Sequence, residues 1–352
     1  MNTTIKDVAR EAGVCIATVS RAFNEPDRVS QETLQRIHSA AKRLNYSPNA
    51  LAKGLITRST QTIGVLVPDI DNLFYPCVVK GIDAACFQNN HLSILANTYD
   101  SVEREQYYIR SLGGQRIDGY IFVGTRSADL KDSQHIIELA KHTPVVMIYS
   151  DLSAYGVCSI LTDDVAAVRR VTKSLFEQGH RRVALFSSDV PHMTYLDKQR
   201  GYEQALEEMG RAGDAVIYRD QPYIMGGYRC MERMLQEFSP KTMPTAVMVI
   251  SDQMALGVWR CCEAHGIRIP DEIKLVGYSG TSLIRELLPS LQTVDQMPDK
   301  LGHLAVNMII AGCSGRRWTL PPASDCRRWT WSQPECPPRS GPPERPPARR
   351  GR

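Results

Sequence analysis

The sequence predicts an α/β protein in three parts: a small all-helical head, a short hinge helix, and a large region of two lobes built on parallel, doubly wound sheets. Three observations lead there. Residues 1–46 carry three helical apolar patterns and no strand pattern. From residue 62 onward, short β-type runs alternate with helical stretches in two successive series, which implies parallel strands joined by right-handed crossovers. The composition, 43% hydrophobic and 23% charged over 352 residues, is that of a globular chain long enough for two or three cores. There is no run of eighteen apolar residues, so no membrane span or membrane partner is expected. Met1–Asp7 lacks an apolar signal core, and the expected location is the cytoplasm.

In the head, Thr4 precedes a helix over Ile5–Ala12, and Asp7 is placed to form a capping box with it. Ile5, Val8, Ala9 and Ala12 share one face, and Gly13 ends the helix because it tolerates the left-handed C-cap geometry. A second helix is predicted over Ile16–Phe23, with Val19 and Ala22 facing inward. Ala9 lets the two helices approach, Gly13 makes the turn and Val19 fills the joint. That is the pattern of a helix-turn-helix, although plain helical hairpins also produce it. Ser30 caps a third helix over residues 31–44, whose inner stripe is Leu34, Ile37, Ala41 and Leu44. Residues 1–60 carry a net +4, residues 61–312 a net −6 and residues 313–352 a net +6. A basic head on an acidic body suits a polyanionic partner.

Thr4–Ala9, Gly13–Val14, Ala17–Arg21, Val29–Ser30 and Tyr46–Ala50, in that order, resemble the head of the lactose-repressor (LacI/GalR) family of transcription regulators, across nearly all of the first 50 residues. The resemblance implies that the second helix enters the major groove of double-stranded operator DNA, with Ile16, Ala17 and Arg21 as its readers. Arg21 suits a bidentate bond to guanine, worth about 1–3 kcal/mol of discrimination, and Ile16 and Ala17 offer apolar contact, for example to a thymine methyl. The hydroxyls of Thr18 and Ser20 suit phosphates, which set register rather than sequence. Cys15 stands where the family usually has serine, and the lost cap is expected to cost up to about 1 kcal/mol.

Residues 47–61 form the hinge. Ser47–Leu55 reads as a helix of one and a half turns, with Ser47 as its cap and Pro48 at its first position. It is too short to be stable alone, and Gly54 weakens it further. The resemblance implies that it folds on DNA as a side-by-side pair in the minor groove, Leu55 wedging a base step and Lys53 supplying a cation. Read by itself, the segment also suits a plain linker.

The sensor region spans residues 62–312. Strands are expected over residues 62–68, 92–96, 119–123 and 145–148, with helices over 76–90, 102–114 and 132–141. The second series places helices over 164–178, 198–209, 225–238 and 252–265, and strands over 182–186, 215–218, 246–250 and 274–277. Pro68–Phe74, Ser251–Gly257, Gly277–Tyr278 and Pro289–Val294 resemble the same family's periplasmic-binding-protein-like core, to about residue 312. The expected lobes are about 62–161 with 293–312, and about 162–292. Ligands of such folds bind at the carboxyl ends of the strands. The resemblance places effector contacts at Asp71, Asn72, Phe74, Arg126, Lys198, Arg200, Tyr223, Ser251, Asp252 and Ser279. Lys198 replaces the family's usual arginine and loses its planar fork. Ser279 replaces the usual aspartate and loses a charge-assisted acceptor. The implied partners are a sugar or related metabolite as effector and a second copy of the chain in a homodimer; repression is the implied mode.

Other classes fit less well. A transport-type sugar-binding protein would match the two lobes but not the head. An enzyme is not expected: no GxGxxG follows the first strand, and there is no P-loop and no Ser/His/Asp set. His180, His192 and His265 read as surface residues. The ten cysteines have no CxxC spacing, so no metal site is expected and most read as reduced core thiols; no cofactor is implied. After Gly312 the composition shifts: residues 313–352 hold nine of the 21 prolines, three of the four tryptophans and nine arginines, with no strand or helix pattern. This tail reads either as a disordered basic arm or as a translated shift of reading frame.

Overall fold

A computed structural model describes residues 3–46, 59–127, 129–288, 291–313 and 329–331. The chain divides into two units, Met1–Gln61 and Thr62–Arg352. The hinge helix, with Lys53 and Leu55, lies outside the described residues, as does nearly all of the tail.

The first unit holds α1 (Ile5–Ala12), α2 (Ile16–Asn24) and α3 (Gln31–Arg43). The Asp7 carboxylate accepts from the backbone N–H and the hydroxyl of Thr4, at 3.0 and 2.7 Å, so the acid holds the start of α1. Gly13 sits at φ 62°, the left-handed C-cap that its lack of a Cβ permits. The Ser30 hydroxyl accepts from Thr33 N–H and caps α3. Val8, Ala9, Ala12, Val19, Ala22, Leu34, Ile37, Ala40 and Ala41 form the head's core. Arg36 adds what the sequence reading did not see: its guanidinium donates to the Ala12 carbonyl at 2.6 Å, satisfying an orphan carbonyl at the turn between α1 and α2.

The second unit runs β1 (Thr62–Val67), α4 (Phe74–Gln88), β2 (Leu92–Asn97), α5 (Val102–Gly113), β3 (Gly119–Val123), α6 (Gln134–Ala140), β4 (Val145–Ile148) and β5 (Cys158–Thr162). It continues with α7 (Asp164–Glu177), β6 (Val183–Ser188), α8 (Met193–Glu208), β7 (Val216–Asp220), α9 (Ile224–Glu237), β8 (Ala246–Val249), α10 (Asp252–Ala264) and β9 (Lys274–Ser279). It closes with α11 (Ser282–Leu287), β10 (Gln292–Asp295), α12 (Pro298–Cys313) and β11 (Trp329–Trp331). All pairings between these strands are parallel. One sheet has the order β11-β5-β4-β3-β1-β2 and the other β10-β9-β8-β6-β7.

Three expectations need correction. Residues 293–295 belong to the second lobe, because β10 pairs with β9 from Gln292↔Val276 to Asp295↔Ser279; the return to the first lobe comes at α12. The tail is not without a strand: the backbone of Trp329–Trp331 pairs with Ile160–Thr162, extending the first sheet beyond β5. Alternating tryptophan and threonine is a β-favouring run that the proline-rich surroundings obscured. Helix α12 went unassigned in the sequence, yet it packs along α4 and supplies Leu301, Ala305, Val306 and Ile309 to the first core. A Cβ on Gly81 would collide with the Asp299 carbonyl, and one on Gly302 with the Val78 carbonyl, so these two glycines set the close approach of α4 and α12.

Candidate functional site

Two sites emerge, one in each unit. On the head, α2 buries Val19 and Ala22, which turns the opposite face outward. Ile16, Ala17 and Arg21 are exposed, and Thr18 and Ser20 are half-buried beside them. Ile16 and Ser20, like Ala17 and Arg21, are four residues apart and so share a helical face. Ile16 is 44% exposed, which sets aside a role in the head's core. Arg21 takes part in no ion pair among the described residues. Cys15 occupies the N-cap of α2 without a side-chain cap to the backbone. Its thiol instead lies 3.1 Å from the Thr18 hydroxyl, and that contact lowers its pKa.

In the second unit the two lobes meet around a cleft at the carboxyl ends of the strands, as this architecture requires. They touch where Gln253 Nε2 donates to the Asp71 carbonyl at 3.2 Å and Met193 N–H donates to the Arg126 carbonyl at 3.1 Å. Thr194 N–H also donates to the Thr125 hydroxyl at 3.3 Å, and Ser127 bridges to His192. An inner chamber of about 50 Å³ has Asn72, Thr125, Thr194, Ser251, Ser279 and Gln296 in its lining. Lys198, Ile250, Phe74, Tyr75, Tyr149 and Tyr195 complete its wall. An outer chamber of about 270 Å³ shares Asn72, Tyr75, Thr125 and Tyr195 with it, and adds Asp69, Asp100, His192, Gln221 and Tyr223.

Local chemistry holds these groups in place. In the loop after β1, the Asn72 carboxamide oxygen accepts from Phe74 N–H at the start of α4, and Ile70 N–H is held by Asn97. The side-chain NH2 of Asn72 remains for the cleft. Lys198 is 5% exposed, donates to the Ile250 carbonyl at 3.1 Å and lies 4.0 Å from the centre of the Tyr278 ring. Burial lowers its pKa, opposed by the charges of Asp164, Asp252 and Asp197. Ser251 caps α10 through Met254 N–H and donates to the Pro222 carbonyl. On the cleft wall, Asp100, Tyr149 and Ser279 have φ of 56°, 78° and 131°, a backbone region that non-glycine residues enter at a cost and that is found at ligand sites among other places.

The sequence-derived candidates divide in two. Asn72, Phe74, Lys198, Tyr223, Ser251 and Ser279 line the chambers. Four do not, and the structure corrects their placement. Asp71 is exposed and faces the other lobe through its backbone carbonyl. Arg126 spends its fork on Glu105, at 3.0 and 2.5 Å, and His135 holds the same carboxylate at 2.6 Å. Arg200 is exposed and paired with Asp197 at 3.0 Å. Asp252 is buried, accepting from Thr281 N–H, the Thr281 hydroxyl and the Thr293 hydroxyl, and acts as a structural brace. His192 is half-buried and lines the outer chamber instead of lying on the surface. The sequence reading missed the tyrosines: Tyr75 follows the recognised loop by one residue, whereas nothing in the sequence near Tyr149 or Tyr195 marks a ligand wall.

A helix-turn-helix head ahead of a two-lobed domain with a cleft between its lobes defines a ligand-responsive DNA-binding regulator. Residues 4–49 match bacterial regulatory proteins of the lacI family, and residues 172–327 match a periplasmic binding protein-like domain, a match that runs beyond residue 312 into the tail. Catabolite control protein A of Priestia megaterium is 32% identical over 312 residues, covering 88% of this chain and 92% of that protein. The HTH-type transcriptional repressor PurR of Vibrio atlanticus is 31% identical over 312 residues, covering 87% and 91%. The chain belongs to the lacI family of bacterial regulatory proteins: it is a DNA-binding transcription regulator with an effector-binding domain. Among solved structures, the Lac repressor dimer bound to operator and the anti-inducer ONPF superposes with a TM-score of 0.79 at 25% identity, covering 90% of this chain and 94% of that one. The transcriptional regulator CelR–cellobiose complex gives 0.62 at 26% identity, covering 89% and 94%.

Proposed function

We propose that this protein is a homodimeric repressor that reads a near-palindromic operator with α2 and is released or recruited by a small metabolite bound between its lobes. The observation that carries the DNA-reading part is the outward face of α2, where Arg21 stands exposed beside Ile16 and Ala17. Arg21 makes the bidentate base contact, Thr18 and Ser20 bind phosphates, and Lys53 and Leu55 act in the minor groove. The effector contacts are Asn72, Phe74, Lys198, Tyr223, Ser251 and Ser279, with a hydroxylated compound of sugar type as ligand. This reading is supported by the hydroxyl and carboxamide groups set among aromatic rings in the inner chamber and by the cellobiose of the CelR complex. The dimer forms along the first lobe: β2 is an edge strand, and Phe87, Leu92 and Leu95 are 84%, 70% and 44% exposed around it. The protein works in the cytoplasm, where its DNA lies, and carries out no catalysis of its own.

The test is selection of bound sequences from a random duplex pool at moderate salt, with Arg21→Ala alongside. The full chain should enrich a near-palindromic site, and Arg21→Ala should lose about 10- to 100-fold of the discrimination at one base pair per half-site. Enrichment of the same site by both proteins removes Arg21 as the reader.

A further inference from the structure

Within the effector reading given above, the cleft also carries information on the charge of the ligand. The charged side chains lining the outer chamber, among the described residues, are Asp69 and Asp100. Its histidine, His192, is pushed toward the neutral form by burial, against the opposing pull of Asp100. The guanidiniums nearby are committed elsewhere, Arg126 to Glu105 and Arg200 to Asp197. Lys198, the cation of the inner chamber, faces Asp164, Asp252 and Asp197. Asp164 accepts from Tyr278, Thr162 and Gln296, and Asp252 from Thr281 and Thr293. The lysine's single charge thus faces three carboxyl groups. The outer chamber is therefore lined by two carboxylates and, among the described residues, by no lysine or arginine; burial pushes the Asp100 carboxyl up, and the charges of His192 and Arg126 pull it back down.

Its walls are also aromatic. Tyr75, Tyr195 and Tyr223 are electrostatic neighbours of one another and of Asp100, and Tyr223 lies against Asp69. Carboxylates beside phenol rings favour an ammonium group, through charge-assisted hydrogen bonds and cation–π attraction. The same arrangement rejects phosphate and carboxylate ligands by like charge. Because the two chambers share Asn72, Tyr75, Thr125 and Tyr195, one ligand can span both, with its hydroxyls in the inner chamber and its charge in the outer one.

We propose that the effector is a hydroxylated amine, of the amino-sugar or amino-alditol type, whose protonated nitrogen sits between Asp69 and Asp100 against Tyr75, Tyr195 and Tyr223. Calorimetric titration of the full chain tests this with glucosamine, galactosamine, mannosamine and 1-amino-1-deoxysorbitol. Each is run beside its N-acetyl derivative, its parent hydroxyl compound and the corresponding phosphate. At least one amine should bind 30-fold or more tightly than its counterparts, with an affinity that falls as salt rises. Asp100→Asn should cost that amine at least tenfold and its N-acetyl derivative threefold or less; an equal loss for both overturns the charge contact. A neutral or phosphorylated counterpart that binds as tightly as its amine overturns the cationic class, and the effector reading stands. Operator release by a low-molecular-weight metabolite extract, run in parallel, separates the remaining outcomes. Release by the extract without any amine binder also overturns the cationic class alone, whereas no release and no binder overturns the effector reading as well.

Discussion

At the scale of single residues, Cys15 and Glu105 show how one side chain sets local energetics. Cys15 holds the N-cap of α2 but leaves the backbone donors of the first turn without a side-chain acceptor. Replacing its thiol with a hydroxyl at the same place, Cys15→Ser, supplies that acceptor and should stabilise the head by about 1 kcal/mol, read from its thermal unfolding. Glu105 is 2% exposed and holds both Arg126 and His135. Burial pushes its carboxyl up, but the hydrogen bond from His135 and the charge of Arg126 outweigh this and leave its pKa below the ordinary 4.5. Folding lowers that pKa, so the stabilisation is complete above the unfolded value and disappears as pH falls through the folded one. Glu105→Gln leaves a buried guanidinium unpaired and should cost about 3 kcal/mol in chemical denaturation at pH 7. The gap from the parent protein should narrow in acid below pH 4.5; a gap independent of pH assigns the loss to packing instead.

At the scale of elements, close helix crossing and one edge strand matter most. The approach of α4 to α12 depends on Gly81 and Gly302, whose added Cβ atoms would meet backbone carbonyls rather than flexible side chains. Gly81→Ala therefore forces the helices apart and should lower the unfolding free energy of the second unit by roughly 2 kcal/mol, measured by urea denaturation. Strand β2 presents Leu92 and Leu95 at the edge of the first sheet. Leu92→Lys with Leu95→Lys should dissociate the dimer at micromolar concentration in analytical ultracentrifugation while leaving the far-ultraviolet circular dichroism unchanged. A double variant that stays dimeric places the interface elsewhere. The helix starts and stops of the head were legible in the sequence because each rests on a local signal: Asp7 beneath Thr4, Gly13 at its left-handed turn, Ser30 over Thr33. Of the elements missed, β5, α11, β10 and β11 are too short for periodicity to separate helix from strand, and α12 opens on proline and carries a mostly apolar run.

At the scale of the whole molecule, two units carry two functions. Scanning calorimetry of the full chain should show two transitions, and an effector at 100 times its Kd should raise the transition of the Thr62–Arg352 unit alone, by about 2.7 kcal/mol at a single site. A shift of both transitions means that effector binding also stabilises the head. DNA affinity should fall steeply and linearly on a logarithmic salt scale, because phosphate contacts release counterions.

The sequence by itself determined the class of protein and the order of its parts. Capping, helical spacing and strand–helix alternation are local properties that neighbouring residues encode together, and they sufficed for the head, the two parallel sheets and the loops beside the cleft. Only the tertiary structure decided which polar residues meet. Arg126 and Arg200 fall in recognisable positions, but carboxylates distant in the chain or one turn away on the same helix claim them. Asp252 is taken by threonines from two other segments. Tyr75, Tyr195, Tyr223 and Asp100 form one wall although they come from four separate stretches of chain. A side chain's chemistry is written at its own position, whereas its partner is set by packing across both lobes, and that is where the charge of the cleft is fixed.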